Sequence, residues 1–223
     1  MSQTSVCPVH VRFGEHGDIR DGFPATREAL GSIRQSEDEA AWRALGRVPD
    51  RHEWLGLTDG GVAEVPFDDV VSAVARILDE EDPAVVVTFG PDGIFGHPDH
   101  VAIGAATDEA FARLHSESRS GFQRLAHGAV PQSVFERWNR QRSELGLYAF
   151  DPTQTSHRRG IPDEQIRITI DCREGRPHHG RPSRAQEPTA RHVRRPHVYR
   201  SVGAARWAGV VRDRLARART RCT

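Results

Sequence analysis

Apolar residues recur at spacings of three and four along Phe67, Val70, Val71, Val74, Ile77 and Leu78. That stripe predicts an amphipathic helix, with Asp68 and Asp69 in its first turn, where they favour the helix dipole. A looser stripe of Leu30, Ile33, Ala41, Trp42 and Leu45 follows Thr26 and stops at Gly46, a C-cap signal. Residues 84–89 (AVVVTF) are instead apolar on both faces, the pattern of a buried parallel strand. A helix followed by such a strand implies right-handed βαβ architecture. Pro98 stands where the first residue of a helix over 99–114 belongs. Shorter signals predict strands within 5–13 and 121–130, an apolar piece at 54–57 closed by the turn 58–61, and a helix over 133–142. Ile166, Ile168, Ile170 and Cys172 alternate as a further strand.

The pattern collapses after residue 172. Residues 173–223 hold eight large apolar side chains, too few for a share of a core. There Trp207, Val210, Val211 and Leu215 keep helical spacing. The organisation predicted is one domain over 1–172 and an Arg-rich tail over 173–223, disordered apart from a short C-terminal helix.

Charge sharpens that boundary. The 31 basic and 31 acidic residues of the 223-residue chain cancel, so net charge gives no polyanion-binding signature. Residues 1–172 nevertheless carry 17 Arg against 28 acidic residues, and the tail 14 Arg against 3. Such a tail can contact phosphates, but it lacks the interleaved aromatics that stack bases, which weighs against nucleic acid as a partner. His178, His179, His192 and His197 read as part of a solvated His/Arg-rich segment.

Cys7, Cys172 and Cys222 are odd in number and form no C-x-x-C pair, suggesting neither a disulfide framework nor a Cys-type zinc site. The N-terminal MSQTSVCPVHVRF lacks a signal-peptide pattern, and no run approaches 18 apolar residues. A soluble cytoplasmic protein with no membrane partner is expected.

The strongest chemical signal is residues 92–100, DGIFGHPDH. It joins the carboxyl end of the predicted strand to a helix N-terminus, where open α/β sheets place their ligands. His97 and His100 are three apart and share a helical face. Two imidazoles and a carboxylate there can bind zinc and stabilise an oxyanion. Taken alone, H-x-x-H is equally the pattern of ordinary polar loop residues.

The wider segment DGIFGHPDHVAIG closely resembles the second signature of the LmbE/PIG-L family of zinc-dependent N-acetylglucosamine deacetylases, nearest to those acting on mycothiol precursors or conjugates. FGEHGD, ATREALGSIRQSEDEAAWRALG, HEWLGLTDGG, AVVVTFGPDG and RGIPDEQI resemble further family blocks in family order, over about residues 9–172. The resemblance implies a Rossmann-like, doubly wound, mostly parallel α/β sheet. It implies zinc as cofactor with His100 as a ligand, and His97 as the group that steadies the oxyanion. Arg34 and Asp59 fall where family members contact the sugar or its polyol partner, and Glu15 and His16 fall in a loop that lines the pocket. The implied substrate is a small amino-sugar or thiol conjugate.

The family's opening strand, ending in A-H-P-D-D-E, has no counterpart in this sequence. It brings a histidine and an aspartate to the metal and a second aspartate as general base. His10 is not a substitute, because it lies inside the predicted strand rather than at its end. A catalytic zinc needs three protein ligands, so His100 alone is insufficient, and the base is unassigned unless Glu15, His16 or Asp18 replaces it. The sheet is therefore expected without its first strand, and the hydrolase is expected to be impaired or inactive. The readings left beside it are a nucleic-acid-binding protein using the tail and a non-catalytic sugar-binding domain retaining Arg34 and Asp59.

Overall fold

The computed structural model describes residues 4–19, 21–116, 121–154, 157 and 160–170, together with the backbone of 209–213. It is a mixed α/β structure in two compact units that divide between Asp59 and Gly60.

In the first unit, β1 (Val9–His10) pairs in parallel with β2 (Glu53–Trp54), in the register Val9 to Glu53 and His10 to Trp54. Backbone hydrogen bonds from Asp50 to Val6 and from Leu57 to Val11 extend the ladder at both ends. Between these strands runs α1 (Arg27–Ala44). Thr26 caps it by accepting from the Ala29 N–H at 3.3 Å, with Glu28 in the first turn and Arg43 in the last, both favourable to the dipole. The helix ends ahead of Gly46, which takes the left-handed φ of +70° anticipated for a C-cap. Leu30 is this unit's fully buried hydrophobic among the described residues.

The second unit holds the larger core. Its helix α2 (Phe67–Glu81) buries Val70, Val71, Val74, Ile77 and Leu78, the stripe that the spacing predicts. The strand β3 (Val85–Phe89) and a single turn, α3 (Gly93–Gly96), lead to α4 (Pro98–His115), which packs on α2 and buries Ile103, Ala106, Ala110, Phe111 and Leu114. Burying the five large side chains of α2 contributes on the order of 10 kcal/mol before chain entropy is counted. Next come β4 (Arg124–Ala129), α5 (Gln132–Glu144), β5 (Ile168–Ile170) and β6 (Gly209–Asp213).

The sheet order is β3-β4-β6-β5. β3 and β4 are parallel, while β6 runs antiparallel to both β4 and β5. Three expectations change here. The pairings are mixed rather than mostly parallel, because β6 enters between β4 and β5. The strand β3 buries Val86 but leaves Val85 and Val87 at 54% and 66% exposed, because it is an outer strand of the sheet and the described residues cover one of its faces. Residues 209–213 form a strand where the spacing of Trp207, Val210, Val211 and Leu215 predicts a helix. The Val-Val pair within Gly209–Asp213 favours an extended chain once a sheet edge is available. The rest of the predicted tail, with its four histidines, lies outside the described residues.

Close approach of α4 to β3 depends on Gly104. A Cβ there would stand 2.5 Å from the carbonyl oxygen of Phe89, closer than packing allows.

Candidate active site

The loop from β3 to α4 is built on unusual backbone. Gly93 and Gly96 have φ of +57° and +75°, and Ile94 between them has φ of +68°. A β-branched residue in the left-handed region is strained, and such strain persists where the surroundings hold it. Ile94 packs towards Gly128, where a Cβ would meet its Cδ1 at 3.5 Å.

This turn sets the two imidazoles in opposite polarity. His97 is the N-cap of α4, and its Nδ1 accepts from the Asp99 N–H at 3.1 Å. In the neutral ring the proton then sits on Nε2, making that atom a donor. His100 Nδ1 faces the carbonyl oxygen of Gly93 at 3.2 Å and must donate to it, which leaves the lone pair on Nε2. The His100 ring stacks on Phe89 at 3.9 Å between centroids and meets Phe95 edge-on at 4.6 Å. The two histidine rings lie 5.1 Å apart.

Asp99 has a different task. It is 2% exposed, and its two carboxylate oxygens accept from the backbone N–H groups of Gly60 at 2.8 Å and Val62 at 3.2 Å. The carboxylate of the signature thus holds the chain that enters α2.

Sequence reasoning missed a second polar pair nearby. His127 on β4 is opposite Thr88 of β3, and its Nε2 lies 2.7 Å from Asp108 Oδ1, with His127 buried and Asp108 partly so. A Cβ on Gly90 would stand 3.4 Å from the His127 Cβ, so the pair backs the start of the signature loop. No local motif announces it, since Asp108 on α4 and His127 on β4 meet only once the helix docks on the sheet.

The other predicted residues belong to the first unit. Asp59 is 6% exposed; its carboxylate pairs with Arg12 and accepts from the His16 N–H at 2.9 Å. The Asp59 N–H donates to Glu15 Oε1 at 2.8 Å, and His16 Nδ1 donates to the Asp59 carbonyl at 2.6 Å. Asp59, Glu15 and His16 are therefore brought together, with Asp59 as the anchor of the loop. Arg34 bonds Glu37 one helical turn on, at 2.9 Å, and packs beside Gly14 and Gly17. Arg27, which the sequence did not single out, donates to the carbonyls of Glu15 and Gly17 at 2.9 and 2.6 Å. Asp18 is exposed.

The family described as GlcNAc-PI de-N-acetylase, PIG-L, matches residues 2–111. These residues belong to the PIG-L family. The chain is 31% identical over 178 residues to 1D-myo-inositol 2-acetamido-2-deoxy-alpha-D-glucopyranoside deacetylase 2 of Saccharopolyspora erythraea, covering 69% of this chain and 59% of that protein. It is 39% identical over 180 residues to the deacetylase of the same name from Kineococcus radiotolerans, covering 65% of this chain and 49% of that protein. Among solved structures, the N,N'-diacetylchitobiose deacetylase of Pyrococcus horikoshii is similar at 19% identity and a TM-score of 0.44, covering 72% of this chain and 74% of that one. The chain spans about half the length of the curated relatives it matches.

A metal at the PIG-L signature requires ligands that the described residues supply only in part. His100, with its Nδ1 committed to a backbone carbonyl, has the tautomer that metal-binding imidazoles adopt. His97 presents a proton instead, and Asp99 is held by two N–H groups. Three protein ligands are needed for a catalytic zinc, and among the described residues none joins His100 to make that set. One group of three metal-capable side chains does occur among the described residues: His10, Asp38 and His52. Burial lowers the His10 pKa below 6.5 and the neighbouring His52 lowers it further, against an opposing effect of Asp38. Sequence reasoning set His10 aside as a strand residue. Among the described residues no helix is long and apolar enough to cross a membrane.

Proposed function

We propose that the signature loop serves hydrolysis of the acetamide of an N-acetylglucosamine-type substrate, with zinc as its metal and at a reduced rate. The polarity of the two imidazoles carries this reading. His97 offers an Nε2–H to the oxygen that becomes negative when the acetamide carbon turns tetrahedral, and His100 offers a lone pair of the kind a metal takes. Acetate and a free amine are the products. The names of the relatives support an amino sugar joined to a polyol as the substrate class, and a thiol conjugate built on one belongs to the proposal beside it. The reduced rate follows from the ligand count at His100. Arg34 and Asp59 belong to the proposal as sugar or polyol contacts, Asp59 through the loop it anchors. A cytoplasmic setting and the doubly wound, Rossmann-like arrangement belong to it as well.

The test uses protein in excess over an N-acetylglucosaminyl inositol, with zinc present, and quantifies acetate and amine. Equimolar release that disappears in His97→Gln is the expected result. A chain that yields neither product overturns the reading. Binding of nucleic acid through residues 173–223 is not favoured by the relatives, and apart from the backbone of 209–213 that segment lies outside the described residues.

A further inference from the structure

His10, Asp38 and His52 come from three segments of the first unit: β1, the middle of α1, and the residue ahead of β2. Parallel pairing of β1 with β2 brings the two histidines side by side, their ring centroids 4.9 Å apart. Asp38 reaches both, with Oδ1 at 3.5 Å from His10 Nε2 and Oδ2 at 3.0 Å from His52 Nε2. The second separation is that of a hydrogen bond, but the angles are not. Asp38 Oδ2 and His52 Nε2 are both buried without a hydrogen-bond partner among the described residues. A buried carboxylate oxygen that faces an imidazole nitrogen without hydrogen-bond geometry is poorly satisfied, and an ion ligated by both improves on that arrangement.

The spacing suits an ion. Zinc bonds of about 2.0–2.2 Å in tetrahedral geometry put donor atoms about 3.3 Å apart. The Asp38 carboxylate approaches the two imidazole nitrogens at 3.5 and 3.0 Å through its two oxygens, and one ligand atom from each of the three residues lies within 4.8 Å of the others. The rings are already held. Trp54 stacks on His10 at 4.1 Å and on His52 at 5.4 Å, and Phe13 stacks on Trp54 at 5.3 Å. Orientation fixed before binding lowers the entropy lost on coordination.

We propose that His10, Asp38 and His52 bind a divalent transition metal, zinc by preference, with a fourth position open, and that the ion clips β1, α1 and β2 together. Two imidazoles and one carboxylate favour zinc over the hard cations. The clip has a structural purpose, because Leu30 is the fully buried hydrophobic of the first unit among the described residues. With so little apolar burial among its described residues, the unit gains from a metal that binds only the folded form. This inference does not depend on the deacetylase reading.

The test takes the full chain without an affinity tag, stripped with a chelator, and titrates it with cobalt as spectroscopic probe and with zinc against a chromophoric chelator. Visible cobalt absorption rising to one equivalent is expected, with a zinc-dependent rise of several degrees in the thermal midpoint. Asp38→Asn and His10→Gln should each weaken that uptake at least about tenfold and remove the thermal shift. A chain altered at both His97 and His100 to Gln should retain both. Far-UV circular dichroism checks the fold of each variant, and His10→Gln, at a partly exposed position, decides the matter if Asp38→Asn does not fold. No uptake, or uptake equal in wild type and both ligand variants, overturns the proposal. Because no substrate is involved, failure here and failure of acetate release are distinct results.

Discussion

Asp99 accepts the backbone N–H of Gly60 at 2.8 Å across 39 positions of sequence. The aspartate of the H-P-D-H signature therefore fixes the chain path into α2, between two histidines left to face the loop.

Replacing Asp99 tests that division of labour. Asp99→Ala leaves the Gly60 and Val62 N–H groups without this acceptor and should cost about 2–4 kcal/mol. Urea unfolding should show a lower midpoint at unchanged slope.

Gly93→Ala should disturb the site more than its size suggests. The new Cβ would have to adopt φ +57° and would stand 3.0 Å from the His100 Cβ. A loss of about 1–3 kcal/mol is expected. A shifted His100 ring resonance in NMR spectra would show that the strain reaches the imidazole.

The Arg12–Asp59 pair should couple measurably. Asp59 is 6% and Arg12 23% exposed, so water screens the pair only partly. A double-mutant cycle on Arg12→Ala and Asp59→Ala should give about 1–2 kcal/mol of interaction energy, with faster amide exchange at His16 in both single variants.

Asp163 supplies a pH dependence. The Ser133 hydroxyl and, next, its backbone N–H hydrogen-bond this carboxylate at the start of α5 and lower its pKa below 3.8. The folded form thus prefers the ionised state. Its contribution to stability is complete above the unfolded value of 3.8 and is lost as pH falls through the lower folded value. Ser133 amide exchange should accelerate over that acidic range in wild type and be independent of pH there, after correction for intrinsic rates, in Asp163→Asn.

What the sequence made legible was what lay within one element. The stripe on α2, the Gly46 stop and Pro98 at the head of α4 are local signals, and each stands where the spacing put it. The histidines of the signature were legible for the same reason, being contiguous with the turn that orients them. Burial of β3 was misjudged because an apolar run says nothing of strand order, and Val85 and Val87 lie on an outer strand. His10, Asp38 and His52 escaped notice because their meeting needs both the register of two strands and the docking of a helix. His127 and Asp108 were missed on the same ground.

Phe89 grips α4 twice. Its ring lies under His100, and its carbonyl oxygen fills the space that a side chain on Gly104, one helical turn later, would occupy. The imidazole is thus seated with little play, and a tug on it from a bound molecule is borne by the backbone of the strand. Displacing that ring therefore means displacing the strand along with it.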